Sequence, residues 1–179
     1  MAPATRIASL LPAATEIVAA LGALDRLVGI SHECDYPAGV AGLPRLTRSD
    51  VDVSASSAAI DAQVRALRAA GRPVIATDGE LLRSLAPDLI IAQDVCEVCA
   101  VVDGDLRSLA AALDPPPAIL PLRARNLAGI FDDIRAVGDA LDRRAAARGL
   151  IEQCDRRLTR LRHAGSRRSR PRVIAIEWL

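Results

Sequence analysis

The side chains in this sequence best suited to chemistry are Cys96 and Cys99, spaced C-x-x-C, with Cys34 and its near neighbour His32. A C-x-x-C pair that follows a strand and opens a helix sits where the helix dipole lowers a thiol pKa and supports thiol–disulfide exchange. Joined by Cys34 and His32, which also follow a predicted strand, the two thiols complete a tetrahedral Cys/His zinc set. Both loops fall on the carboxyl side of the predicted sheet, so the topology allows them to converge. The competing reading makes the cysteines small buried apolar groups and His32 a hydrogen-bonded loop residue. A single C-x-x-C without a second pair is a weak metal signal. Histidine catalysis has little support, because the other histidine, His163, lies among arginines. No glycine-rich phosphate loop, nucleophile elbow or carboxylate pair occurs. No catalytic activity is expected on these grounds, so the expectation is of a protein that is not an enzyme.

These residues are positioned by an alternation of β-type and helical runs. Residues 6–37 set the pattern: an apolar run Ile7–Leu11, then Pro12 at a helix start, where its missing N–H would be unpaired in any case. Ile17, Val18, Leu21 and Leu24 follow at helical spacing, Gly22 ends the helix, and Leu27–Ile30 is the next β run. Short connections of this kind favour parallel strands with a right-handed crossover. In such sheets ligands bind outside the carboxyl ends of the strands.

Further along, residues 47–57 read as a polar loop. A helix over 58–70, a short strand over 73–76 and a helix over 80–85, capped by Thr77 or Asp78, come next. Asp88–Ala92 is apolar without alternation, as a central parallel strand requires. A helix over 106–113 is stopped by Pro115–Pro117, and Ala118–Leu122 is another strand. From Asn126 an apolar stripe at helical spacing continues to about Gly165. Unbroken, that helix would span ~60 Å, although Asp142–Arg144 and Gly149 mark a place for an irregularity. Arg172–Ile176 reads as a buried strand.

The fold class expected is α/β. A parallel-sheet, Rossmann-like lobe over 1–125 leads into a long bridging helix over 126–165. Residues 166–179 would supply only the first strand of a second lobe, as in a truncated two-lobe protein.

Composition narrows the partners. Of the 179 residues, 51% are hydrophobic and 25% charged, enough for a buried core. With 23 basic against 22 acidic residues the net charge is +1, which suggests neither a nucleic acid nor an anionic membrane as partner. Aromatic residues, at 2%, are too few for base-stacking platforms. No apolar run is long enough for a membrane span. Glu16 interrupts the one stretch that imitates a signal peptide. The default location on these grounds is the cytoplasm, where the cysteines stay reduced.

The segments RIASLLPAATE, LVGISHECDYP, ELLRSLAPDLIIAQ and RNLAGIFDDIRAVG, in this order, resemble the cobalamin/iron-siderophore substrate-binding proteins of ABC transporters, the helical-backbone class. The resemblance is greatest to the cobalamin-binding subset. It implies two α/β lobes bridged by a helix, with a small-molecule ligand, cobalamin or a related tetrapyrrole or siderophore, in the cleft between them. It implies that Pro12, Ala13 and Ala14 present backbone to the ligand. Glu33, Arg48 and Gln93 fall where cobalamin binders place aromatic residues, and Trp178 falls at the cleft edge of the second lobe. Glu80 matches an acidic residue used to dock on permease arginines.

Overall fold

Ile90 and Ile91 are adjacent in one strand, point to opposite faces of the sheet, and are both fully buried. That requires a layer of helices on each side. The computed structural model describes residues 3–93, 103–165 and 172–175. In chain order these form β1 (Ile7–Ser9), α1 (Pro12–Ala20), β2 (Leu27–Ile30), β3 (Thr47–Ser49), α2 (Ser57–Ala69), β4 (Ile75–Thr77), α3 (Gly79–Leu85) and β5 (Leu89–Gln93). They continue with α4 (Asp103–Ala111), β6 (Ala118–Leu122), α5 (Leu127–Ala140) and α6 (Arg144–Gly165).

The main sheet has the order β2-β1-β5-β6, and every pairing in it is parallel. Ile7, Leu89 and Ile91 face α1 and α5, where Ala14, Val18, Ile134 and Val137 are buried against them. Ala8, Ile90 and Ala92 face α3 and α4, meeting Leu82, Leu106 and Ala110. The α/β class and the parallel sheet expected from the apolar runs are therefore observed.

Asp88 ties the start of β5 to the start of β1. Its carboxylate accepts from Thr5 N–H and Oγ1, each at 2.8 Å, and from Arg6 N–H at 3.1 Å. Burial alone would raise this carboxyl, but those hydrogen bonds together hold it below its ordinary value. A carboxylate depressed in the folded state binds fewer protons than in the unfolded chain. Its contribution is present at neutral pH and is lost as pH falls through the folded value. Asp88→Asn is expected to cost about 1 kcal/mol at neutral pH and to flatten the acid limb of stability against pH. Urea unfolding at a series of pH values checks both.

Three elements differ from the sequence reading. The stretch read as a loop from Thr47 begins with a strand: β3 pairs antiparallel with β4, Thr47 opposite Thr77. Short polar runs such as TRS carry no periodic signal, and only the partner strand makes them β.

The expected single helix over 126–165 is two helices. α5 ends at Leu141 with Asp142 in the left-handed conformation at φ 54°. Arg143 N–H reaches back to Gly138 O at 2.7 Å and Asp142 N–H to Asp139 O at 3.3 Å. This is the 6→1 and 5→2 bonding of a Schellman stop. α1 and α2 end in the same way at Gly22 and Gly71. Asp142 does the same without being glycine, since Asp tolerates the left-handed region better than most residues. α6, with 22 residues, is about 33 Å long.

The third difference is Arg172–Ile176. Residues 172–175 lie in no strand, and Val173 and Ile174 are 77% and 87% exposed. Ile176 lies outside the described residues.

Candidate functional site

The connections from β1 and β5 leave the sheet in opposite directions. β1 runs through α1 to β2, on the face covered by α5, while β5 is followed by α4 on the other face. The carboxyl ends of these two neighbours form the topological switch point, where an open α/β sheet leaves a crevice. A cavity of about 440 Å³ lies there, open to solvent. Leu11, Ala13 and Ile17 line it from the β1–α1 segment, Leu122 and Ala124 from the end of β6, and Ile130 from α5. Glu16, Gln93 and Asp133 add its polar lining.

A buried polar relay ties the end of β1 to α1. Ser9 Oγ donates to Leu11 O at 3.1 Å, and Thr15 Oγ1 donates to Ser9 Oγ at 2.8 Å. Thr15 Oγ1 also lies 3.1 Å from Cys34 Sγ. Ser9 and Thr15 are fully buried, so these bonds satisfy groups that would otherwise be costly to desolvate. Leu10 N–H donates to Ile91 O at 2.9 Å, pinning the β1 exit to the central strand. Across the cavity, Asp133 accepts from Arg123 N–H at 3.1 and 3.2 Å and from Ala124 N–H at 3.0 Å. The loop between β6 and α5 is thereby closed around that carboxylate.

The expected site residues divide among several places. Ala13 and Gln93, 80 residues apart in sequence, are brought together on the cavity wall. Pro12 opens α1 beside them, half-buried. Ala14 is fully buried against the core, and its side chain does not line the cavity. Glu33 lies at the end of β2, exposed, with Oε1 3.2 Å from His32 Nε2. Arg48 is exposed on β3, with Nε 3.7 Å from Asp50. Neither Glu33 nor Arg48 lines the cavity. Glu80 is exposed in the first turn of α3, next to the Asp78 cap, which accepts from Leu81 N–H at 2.9 Å. Trp178, Cys96 and Cys99 lie outside the described residues.

Of the zinc set, only Cys34 and His32 lie among the described residues. Cys34 is a core residue, 1% exposed. Burial pushes its thiol above the ordinary value, outweighing the Thr15 hydrogen bond and the Arg45 charge that lower it. A thiol kept protonated is a poor metal ligand and nucleophile. His32 Nδ1 is 2.7 Å from Thr47 Oγ1, and Thr47 Oγ1 donates to Ser31 Oγ at 3.0 Å. His32 thus ties the β2 loop to β3. Among the described residues no three His, Cys, Asp or Glu side chains are grouped to hold a metal ion.

The sequence reading did not single out Glu16, Ile17, Leu122, Ala124, Ile130 or Asp133 as lining. By helical spacing Ile130 belongs to the apolar stripe that runs from Asn126. It is 42% exposed, and Leu127, one turn earlier, is 53% exposed. The signal available was position: a first helical turn just past the carboxyl end of a strand.

A family model described as periplasmic binding protein matches residues 7–178. No curated protein sequence matches the chain. Among solved structures, a possible iron-binding, periplasmic solute-binding protein from Staphylococcus epidermidis is 21% identical with a TM-score of 0.67. That match covers 93% of this chain and 53% of the other. The periplasmic vitamin B12 binding protein BtuF of Vibrio cholerae is 26% identical with a TM-score of 0.64, covering 92% and 52%. A periplasmic heme binding protein from Pseudomonas aeruginosa is 20% identical with a TM-score of 0.65, covering 88% and 45%. The chain therefore spans about half the length of the solved structures it matches. The expectation of a cytoplasmic protein is overturned, since the family and these structures are periplasmic binding proteins. That expectation had rested on the absence of an export signal, which says nothing of segments beyond the sequence at hand. Among the described residues no helix is long and apolar enough to cross a membrane. With a match that runs from β1 to beyond α6, the chain belongs to the periplasmic binding protein family.

Proposed function

We propose that this chain is the amino-terminal ligand-binding lobe of an ABC-type uptake protein, taking cobalamin or a related tetrapyrrole or siderophore. The observation that carries the reading is the cavity at the β1/β5 switch point, on whose wall Ala13 and Gln93 meet. Its mostly apolar lining with a few polar groups suits a large, partly apolar ligand. The vitamin B12 and heme binding proteins among the similar structures support that ligand class. The family's role in transport supports binding without catalysis.

In this reading the lobe is residues 1–125 with α5 packed on it, and α6 is the bridge to a second lobe. Ile134, Val137 and Leu141 of the α5 segment are buried in the lobe's core, whereas Leu161 near the end of α6 is 68% exposed. Glu80 stands on the surface as the contact for an ABC permease, where an arginine of the partner would meet it.

Titration with cyanocobalamin and hemin, followed by visible absorbance and calorimetry, tests the proposal. The 179-residue chain supplies one wall of the site, so saturable binding weaker than about 1 µM is expected. Sub-micromolar affinity would refute the one-wall assignment, and no binding of either ligand would refute cobalamin and its related tetrapyrroles as the ligand.

A further inference from the structure

We infer that Glu16 sets the charge preference of the cavity: its carboxylate accepts from a cationic or amide N–H group on the ligand's periphery and turns away ligands that present carboxylates. The inference rests on the reading of this cavity as the ligand site. Glu16 lies one turn into α1, on the wall shared with Ala13 and Ile17. Among the described residues no hydrogen bond or ion pair engages its carboxylate. Asp133, the other acid on the wall, is differently placed, because its oxygens already accept from Arg123 and Ala124 N–H. Gln93 is neutral.

Among the described lining residues all formal charge is therefore negative, set between apolar side chains. From the described lining residues, a ligand carboxylate entering there meets two like charges and no cation. An ammonium or an amide N–H finds in Glu16 an acceptor that no described residue occupies. Discrimination of this kind works through repulsion of the wrong ligand as much as attraction of the right one. The plainer reading of Glu16 is a solvated helix carboxylate, which gives no dependence on ligand charge.

The test uses three metal-blocked or metal-free tetrapyrroles that differ at the periphery. One is mesoporphyrin with its two propionates, one is the same ring with the propionates capped as aminoethyl amides, and one is neutral, amide-rich cyanocobalamin. Binding is read from backbone amide shifts of Ala13 and Gln93 by NMR, which registers weak as well as tight association. The amine-capped ring is expected to bind at least about threefold more tightly than the dipropionate, the range of a solvent-exposed ion pair. Glu16→Gln should bring the two porphyrins together, and Glu16→Arg should reverse their order. Glu16 is exposed, so both variants are expected to keep the wild-type unfolding midpoint. Binding with an unchanged preference in both variants overturns the inference and leaves the ligand site standing. No shift at Ala13 or Gln93 with any of the three overturns the ligand site and the inference with it.

Discussion

Ile91→Ala is expected to destabilise the protein by about 3 kcal/mol, the largest single effect among the changes considered. Ile91 is fully buried in the strand at the middle of the sheet, against the helices α1 and α5. Truncation removes three carbons from a packed interior and leaves a void, because helices on a parallel sheet collapse only partly into it. The same residue's carbonyl holds Leu10 N–H, so the void opens directly beneath the β1 exit that forms the cavity wall. Loss of stability and weaker ligand binding should therefore appear together. Urea unfolding should show a lower midpoint with an unchanged slope. A loss below about 1 kcal/mol would mean that the face under α1 is not packed as described.

Gly138→Val comes next, with an expected loss of about 2 kcal/mol. A Cβ built on Gly138 would stand 2.6 Å from Ala147 Cβ, closer than real carbons approach. Gly138 is buried where α5 and α6 cross, and it is also the residue whose carbonyl accepts from Arg143 in the stop between them. Valine there forces α6 away from the lobe. Some of the cost is offset, since glycine in a helix interior is itself unfavourable. Pairing the change with Ala147→Gly removes the opposing carbon and should recover a good part of the loss in a double-mutant cycle. If the second change recovers nothing, the close approach of the two helices is not what Gly138 serves. Hydrogen exchange along α6 gives the functional readout, because this corner aims the helix that leaves the lobe.

The ends of helices were plain in the sequence where glycine marked them, whereas Asp142–Arg144 marked only a place for an irregularity. Gly22 and Gly71 are left-handed stops that any reading of the chain would place. Asp142 performs the same stop with a residue that is also at home on an exposed helix face, so the apolar stripe ran past it. Leu141 ends one helix in the core, and Leu150 resumes the pattern on another, partly buried against the same cluster. Periodicity reports which residues face the core. It does not report whether the backbone between them turns.

By itself the sequence determined the α/β class, the central strand over Asp88–Ala92, the parallel direction implied by short crossovers, and the side of the sheet on which to look for a ligand. These follow from local patterns: unbroken apolar runs, helical spacing, caps and stops. The tertiary structure alone decided which loop residues share a wall. It joined Ala13 to Gln93 and brought in Glu16, Ile130 and Asp133, while Glu33 and Arg48 remained outside. It also turned Cys34 from a candidate metal ligand into a core thiol bonded to Thr15. The reason is common to all of these. A side chain's burial and neighbours depend on which strands lie side by side, and β1 and β5 become neighbours only when the sheet closes in the order β2-β1-β5-β6.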